Sequence, residues 1–233
     1  MKKLLILVLT ISLILFSGCG SKKDSDSTKF KSDYEQMNGK VNSSNKEYRT
    51  VKIDSENKFV EITEEELIKK FENKESFYIY FGSTLCPWCR SVIEMADKVS
   101  RENNIDVIYY FDIWDSEGKE IFRDTYRLDE NNNPELVSNG SENYKKIIEI
   151  LSSVLSDYTL KDSQGNTINV GEKRIYAPNF IYILNGKPIR LVTGISQKQG
   201  NDSRAELTKE ILEDEETAFS KFFTNTCSSD SVC

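Results

Sequence analysis

The chain has 233 residues, a formal net charge of -7 and no histidine. The length predicts one domain with a core of its own, and the acidic balance argues against nucleic acid and against electrostatic binding to an anionic lipid surface. The lack of histidine excludes histidine-based acid–base chemistry and every Cys/His zinc pattern.

The first 18 residues have the pattern of an export signal. Lys2 and Lys3 precede an apolar stretch from Leu4 to Phe16, and small residues follow it. This stretch is shorter than the roughly 20 residues that a transmembrane helix needs, so a retained membrane span is the weaker interpretation. Residues 1–18 are therefore predicted to be a signal peptide.

The segment "LFSGC", which ends at Cys19, resembles the lipobox of bacterial lipoproteins. The resemblance implies cleavage before Cys19 and diacylglycerol on its thiol. The chain would then lie on the extracytoplasmic face of the bacterial cell membrane, attached by its lipid. Ordinary secretion with a leftover Cys19 thiol is the alternative.

Residues 19–50 are poor in large apolar side chains. From residue 20 to residue 47 the sizeable apolar side chains are those of Phe30, Tyr34, Met37 and Val41. Such a segment buries too little surface to offset the entropy cost of ordering it. The sequence therefore predicts a flexible tether over residues 19–50.

A pattern of strands and helices follows the tether. "KFVEI" predicts a short strand, and Thr63 with Glu66 predicts a capping box at the start of a helix. "FYIYF" at 77–81 and "IDVIYYFDI" at 105–113 predict strands buried on both faces. Because the connections are short, these two strands are expected to be parallel, with a right-handed crossover between them.

Two cysteines stand between these buried strands, in "CPWC" at 86–89. Pro87 occupies a natural first position of a helix, and apolar residues follow it at helical spacing. A CxxC motif that opens a helix after a buried strand is a stronger redox signal than a CxxC motif alone.

The last part of the chain predicts a hairpin and a helix. Asn185-Gly186 is typical of a tight turn between antiparallel strands. Ser203 with Glu206 predicts a capping box at the start of the final helix, which is expected to end just before Cys227.

This order of elements, with a proline ahead of the hairpin, resembles the thioredoxin fold over most of residues 56–224. "CPWC" stands in its active-site position and Ala177-Pro178 in the position of its cis-proline. The resemblance implies an α/β domain over residues 51–226, with a central mixed sheet flanked by helices. A proline in trans at the start of a strand is the alternative for Pro178.

More narrowly, "GEKRIYAPNFIYILNGKPI" behind a lipoprotein signal is similar to thioredoxin-like proteins labelled bacteriocin transport accessory proteins. The family resemblance implies a thiol-disulfide oxidoreductase that needs no cofactor and no metal. Cys86, at the helix N-terminus, is expected to attack a substrate disulfide, and Cys89 is expected to resolve the mixed disulfide.

The residues around the two cysteines are expected to bind substrate. Pro87 and Trp88 separate the cysteines, and Trp88 offers an apolar contact, although a half-buried surface aromatic explains it equally well. Pro178 is expected to face the cysteines and to leave the backbone of Ala177 available to an extended substrate segment.

Two features depart from the family pattern. Tyr80 stands where thioredoxin has an acidic residue in the buried strand, so that proton carrier is missing. An insertion at about 114–176 contains an amphipathic helix that starts near Tyr144 and a hairpin, "YTLKDSQGNTINV". The insertion is expected to be a helical cap with a hairpin beside the active site, serving either partner specificity or packing alone.

The tail at 227–233 holds Cys227 and Cys233. If Cys19 is lipidated, the other four cysteines form two close pairs, which favours the disulfides Cys86–Cys89 and Cys227–Cys233 in an oxidising compartment. A second redox pair and a zinc site of four cysteines are the alternatives for the tail.

Two functions remain open at this point. The first is an enzyme that exchanges disulfides with protein or peptide thiols and has a membrane redox partner. The second is a non-catalytic accessory or binding module that docks to a transporter or a secreted peptide. The intact CxxC motif and the facing proline favour the enzyme.

Overall fold

The computed structural model describes residues 22–115 and 118–224. These residues form five α-helices: α1 (Lys22–Glu35), α2 (Glu64–Glu72), α3 (Pro87–Glu102), α4 (Glu142–Leu151) and α5 (Lys209–Thr224). They also form nine strands: β1 (Phe59–Glu61), β2 (Phe77–Gly82), β3 (Ile108–Asp112), β4 (Thr125–Leu128), β5 (Pro134–Ser138), β6 (Ser156–Lys161), β7 (Thr167–Arg174), β8 (Asn179–Leu184) and β9 (Lys187–Val192).

Five strands form a central mixed sheet in the order β1-β3-β2-β8-β9. Strands β1 and β2 both run parallel to β3, whereas β8 is antiparallel to β2 and β9 is antiparallel to β8. Asn185 and Gly186, between β8 and β9, both have positive φ, as a tight hairpin turn requires. The predicted parallel pair and the predicted hairpin are confirmed.

Helices cover both faces of the sheet. Successive side chains of a strand point to opposite faces, so Tyr78 and Tyr80 pack with α1, α3 and α5, whereas Phe77, Ile79 and Phe81 pack with α2 and α4. Strand β2 is buried along its whole length, as its apolar sequence predicts. The domain is therefore an α/β structure whose central strand leads directly to Cys86.

The ends of three helices test the capping predictions. Thr63 and Glu66 form the predicted capping box of α2, and Pro87 is the first residue of α3. The predicted start of the last helix is wrong, because α5 begins at Lys209 and Thr208 Oγ1 accepts a hydrogen bond from the amide of Ile211. The capping box expected at residues 203–206 lies before the helix.

The predicted tether is wrong for residues 22–50. Helix α1 occupies its first half, where Phe30 and Tyr34 are 4% and 0% exposed. The Phe30 ring stacks on Phe59 of β1, with ring centroids 4.3 Å apart. Because Phe30 and Tyr34 are one helical turn apart, two large side chains on one stripe are enough to dock the helix.

Polar contacts reinforce this docking. Ser27 Oγ donates a 2.8 Å hydrogen bond to the backbone oxygen of Asn57, and Asn57 Nδ2 returns one of 2.8 Å to the backbone oxygen of Ser27. Further along, Tyr48 is also buried. The folded domain therefore includes residues 22–50, which the sequence assigned to the tether.

The region at 114–176 differs in part from its prediction. Helix α4 does not cap the site, because Tyr144, Ile147 and Leu151 pack with α2 against the face of the sheet opposite α3. The predicted hairpin is present as β6–β7, and a second hairpin, β4–β5, precedes it. Strand β7 ends at Arg174, so this hairpin leads into the segment that carries Ala177-Pro178.

Candidate active site

The N-terminus of α3 holds the cysteine pair. Cys86 is the N-cap residue, with φ of -80° and ψ of 117°, and its Sγ accepts a 3.2 Å hydrogen bond from the backbone amide of Cys89. The first amides of a helix have no partner within the helix, so a side chain at the N-cap is well placed to accept from them. Here a sulfur atom takes that role, in the place predicted for the nucleophile.

A second segment faces Cys86 from across the site. The peptide bond between Ala177 and Pro178 is cis, as expected, and the Sγ of Cys86 donates to the backbone oxygen of Ala177 at 3.6 Å. Pro178 is buried and Ala177 is half-buried. The sequence-predicted residues on both sides of the site are thus brought together.

Pro87 and Trp88 are both half-buried at the same end of α3. The Trp88 ring packs against the core on the α3 side of the sheet, and the Trp88 backbone oxygen accepts a hydrogen bond from Ser91 Oγ. The half-buried ring fits either interpretation, a substrate contact or a surface aromatic. Its role in substrate binding stays a prediction.

Both cysteines of the motif are buried. Cys86 and Cys89 are free thiols in the structure, 5% and 0% exposed, and the Cys86–Cys89 disulfide of an oxidised form stays a prediction. Cys19, Cys227 and Cys233 lie outside the described residues. The predictions of lipidation, of a second disulfide and of a four-cysteine zinc site therefore stay predictions.

The two thiols differ in acidity. A hydrogen bond from the Cys89 side chain lowers the pKa of Cys86, against the opposing effect of its burial, and backbone amides add to the lowering. Burial raises the pKa of Cys89 well above its ordinary value, and the neighbouring Cys86 sulfur adds to this effect. Cys86 is therefore the more acidic thiol of the pair, which agrees with the role of nucleophile predicted for it.

Tyr80 occupies the place of the missing acid. It is fully buried in β2, and hydrogen bonding to its hydroxyl counteracts part of the rise that burial causes in the pKa of Cys89. The same hydroxyl lies 2.8 Å from the hydroxyl of Tyr34, a residue of α1. Burial raises the pKa of both tyrosines well above its ordinary value, so both hydroxyls stay protonated and neutral.

Gly82 makes room for this arrangement. A Cβ atom added to Gly82 would overlap the end of the Tyr80 phenol ring, which lies over the glycine on the same face of β2. A side chain at this position is therefore incompatible with the present place of the Tyr80 hydroxyl.

Arg90 connects α3 to the N-terminal segment. It is 1% exposed and donates to three groups there, the backbone oxygens of Tyr34 and Arg49 and the side chain of Asn38, at 2.9, 2.8 and 2.7 Å. A buried guanidinium is stable only when its donors are satisfied. Arg90 therefore holds Tyr34 and the chain after α1 against the helix that carries the cysteines.

A cavity of about 540 Å³ opens between α1 and the ends of β2 and β3. Its lining includes Met37, which follows α1, Tyr110 and Asp112 of β3, and Ser83, Leu85 and Trp114 from the segments that follow β2 and β3. Tyr110 donates a 2.7 Å hydrogen bond to Asp112 Oδ2, and burial raises the pKa of that carboxyl. The cavity places a carboxyl group near the buried tyrosines, which the sequence alone did not indicate.

Charged residues of the 114–176 region support the cis peptide. Arg123 donates from Nη1 to the backbone oxygen of Ile175 at 2.8 Å, and Arg174 donates from Nη1 to that of Asp124 at 2.9 Å. Glu120 lies between the two guanidinium groups and forms an ion pair with each. The Arg123 charge is close enough to Cys86 to help lower the pKa of its thiol.

Residues 22–115 and 118–224 contain no group of three or more metal-binding side chains and no helix long and apolar enough to cross a membrane. A scan of the chain against protein-family models finds no match, and no curated protein matches its sequence.

Proposed function

We propose that the chain is a thiol-disulfide oxidoreductase with a thioredoxin-like fold, in which Cys86 attacks and Cys89 resolves. The observation that carries the proposal is the position of the Cys86 sulfur, which accepts from the amide of Cys89 and contacts Ala177 of the cis peptide. A structural thiol needs neither a helix N-terminus nor a depressed pKa, whereas a nucleophilic thiol benefits from both.

The reaction has two steps. In the first, the Cys86 thiolate attacks a substrate disulfide, a bond forms between Cys86 and one substrate sulfur, and the other substrate sulfur leaves as a thiolate. In the second, Cys89 loses its proton and attacks the Cys86 sulfur, and the remaining substrate thiolate leaves. The substrate disulfide is reduced to two thiols, and Cys86 and Cys89 are oxidised to a disulfide. The reverse sequence oxidises a substrate dithiol.

The proposed location is the extracytoplasmic face of the bacterial membrane. It rests on the signal-like residues 1–18 and on Cys19, whose surroundings resemble a lipobox. The proposed substrates are therefore exported proteins or peptides with cysteines, and a membrane redox protein would recycle the pair. The label of bacteriocin transport accessory protein belongs to the similar thioredoxin-like proteins and comes to this chain only through that similarity.

The test is the reduction potential of the Cys86–Cys89 pair, measured on the full chain in detergent by equilibration in dithiothreitol or glutathione buffers and thiol trapping. A potential above about -300 mV supports a redox-active pair, since structural disulfides usually lie below this value. In parallel, a Cys89→Ser chain is expected to accumulate mixed disulfides through Cys86. A Cys86→Ser chain is the matched control and is expected to accumulate none.

The low exposure of Cys86, 5%, favours a second candidate, a binding module in which the pair does not turn over. The same measurements separate the two functions. A pair with a potential below about -300 mV, together with a Cys89→Ser chain that traps no protein, would contradict the oxidoreductase and leave the binding module.

A further inference from the structure

The Cys89 sulfur is fully buried, and its polar neighbours come from three elements. The Cys86 sulfur, at the N-cap of α3, adds to the rise in the pKa of Cys89 that burial causes, whereas hydrogen bonding from the Tyr80 hydroxyl of β2 and from the Ser83 backbone lowers that pKa. Resolution requires Cys89 to become a thiolate in this place. A buried anion is unfavourable unless hydrogen-bond donors reach it, so the donors around this sulfur determine how readily the thiolate forms.

The Tyr80 hydroxyl belongs to a longer chain of hydrogen bonds. It lies 2.8 Å from the Tyr34 hydroxyl, and Tyr34 Oη lies 3.4 Å from the backbone oxygen of Ser83. A hydroxyl donates one hydrogen bond and also accepts, so the chain can be arranged in two directions. When Tyr34 donates to Ser83, Tyr80 donates to Tyr34 and accepts from the Cys89 thiol. When Tyr34 donates to Tyr80 instead, Tyr80 donates to the sulfur.

The other charged and titratable groups around this chain come from α3 and β3. The Arg90 guanidinium of α3 lies 5.9 Å from the centre of the Tyr34 ring. On β3, the Tyr110 ring stacks on that of Tyr80 at 5.4 Å, and its hydroxyl donates to Asp112. The Tyr110 hydroxyl thus donates its hydrogen bond to Asp112 and not to the hydroxyl chain. That chain consists of the Tyr34 and Tyr80 hydroxyls.

We propose that Tyr34 and Tyr80 form a reversible hydroxyl chain that stabilises the Cys89 thiolate during resolution, so that helix α1 is part of the reactive site. Tyr80 touches the reacting sulfur and is a catalytic residue, whereas Tyr34 acts through Tyr80 and is a positioning residue. This inference rests on the proposed function, because it concerns the second step of the disulfide exchange.

The hydroxyl chain of Tyr34 and Tyr80 acts in the second step of the reaction. Once Cys86 has lost its proton, the Cys89 thiol donates to the Cys86 thiolate. Once Cys86 carries the substrate, its sulfur is no longer an anion, and the Tyr80 oxygen becomes the acceptor for the Cys89 thiol. The S–H bond of Cys89 then breaks, the Cys86–Cys89 bond forms, the bond from Cys86 to the substrate breaks, and the departing thiolate or the solvent takes up the proton. The hydroxyl chain reverses direction as the charge forms on Cys89.

The test separates the two steps with dithiobis(nitrobenzoate), an aromatic disulfide that releases a coloured thiolate in each of them. The full chain, purified in detergent, carries serine at Cys19, Cys227 and Cys233, so that Cys86 and Cys89 are its only thiols. Stopped-flow absorbance then shows a first release when Cys86 attacks and a second release when Cys89 resolves the mixed disulfide.

The expected result differs between the two phases. Tyr80→Phe slows the second release about tenfold, the effect of removing one hydrogen bond to a charged group, and leaves the first release within about twofold. Tyr34→Phe slows the second release by about threefold, because it acts through the neighbouring hydroxyl. In both variants the pH midpoint of the second release moves upward, since the thiolate has lost a donor.

Tyr78→Phe is the matched control, because Tyr78 is a buried tyrosine of the same strand whose ring contacts Tyr182 rather than the cysteines. The inference is overturned if Tyr34→Phe and Tyr80→Phe slow the second release no more than this control does. It is also overturned if Tyr34→Phe and Tyr80→Phe slow the first and second releases equally and lower the melting temperature. That result would indicate a structural role. A wild-type chain that releases no thiolate contradicts the proposed function itself, and the inference with it.

Discussion

Arg123 donates a 2.8 Å hydrogen bond to the backbone oxygen of Ile175, two residues before the cis peptide that faces Cys86. The 114–176 region therefore reaches the candidate active site through a buried cation. This contact gives the region a role in the proposed chemistry besides its packing, because the same cation helps to lower the pKa of the Cys86 thiol.

Replacing this cation is expected to make Cys86 less reactive. In Arg123→Met the pKa of Cys86 rises, and alkylation of Cys86 at neutral pH slows by about threefold, as expected for the loss of a screened charge near a thiolate. The pH dependence of alkylation by iodoacetamide, followed by mass spectrometry, measures the change. Arg127→Met is the control, since Arg127 is an exposed residue of β4. Equal alkylation profiles for the two variants would contradict the electrostatic role of Arg123.

The docking of α1 predicts a large effect of a core substitution near the N-terminus. Phe30→Ala is expected to lower the free energy of unfolding by about 3 to 4 kcal/mol, because it leaves a cavity against Phe59. Urea denaturation followed by circular dichroism measures this change. Val41→Ala in the same segment is the control and is expected to cost less than about 0.5 kcal/mol, since Val41 is 55% exposed. If Phe30→Ala were as mild as the control, residues 22–50 would be a tether after all.

A side chain at position 82 is expected to be incompatible with the present position of the Tyr80 ring. In Gly82→Ala the new methyl overlaps the Tyr80 phenol, which is expected to cost about 2 kcal/mol of stability and to slow resolution by Cys89. Thermal unfolding and the two-phase release assay measure both effects. The double variant Tyr80→Leu, Gly82→Ala removes the overlap and is expected to recover stability relative to Gly82→Ala alone. An additive loss in the double variant would contradict this explanation.

Glu215 is expected to make the stability of the domain depend on pH. The side chain is fully buried in α5, neither carboxyl oxygen has a hydrogen-bond partner, and burial raises the pKa to about 8. The folded state then holds a proton that the unfolded chain releases near the ordinary glutamate pKa of 4.5. Stability therefore falls as the pH rises through the window between these two values.

Replacement of this carboxyl is expected to remove that part of the pH dependence. Between about pH 5 and about pH 9 the Glu215→Gln chain is expected to lose about 4 kcal/mol less stability than the wild type. Urea denaturation across this range measures the difference. Glu213→Gln, an exposed position of the same helix, is expected to leave the profile unchanged. A wild-type profile parallel to that of Glu215→Gln would show that Glu215 ionises normally in the folded state.

Local patterns in the sequence predicted much of the domain. The apolar runs of β2 and β3, the capping box at Thr63 and the turn at Asn185 each depend on neighbours within a few residues, and each of these predictions is confirmed. The position of Cys86 at the start of α3 and the cis bond before Pro178 are also confirmed. Local signals sufficed because a helix start, a strand and a tight turn are set by contacts close in sequence.

The remaining features depend on contacts between residues distant in sequence. Whether Phe30 and Tyr34 are buried depends on whether another element offers them a surface, and β1 with β2 does so. A helical spacing in the chain around these two residues was the signal that could have revealed α1, but few apolar side chains support it. The face on which α4 packs is likewise a property of the assembled sheet.

The sequence by itself determined that a CxxC motif opens a helix after a buried strand, because both signals are local. Only the tertiary structure decided which groups surround the two sulfurs. It brings Tyr34 from α1 to Tyr80 and Arg123 from the 114–176 region to the backbone beside the cis peptide. The physical reason is that a thiol's acidity depends on burial and on donors and charges within a few ångströms, and folding alone brings those groups together.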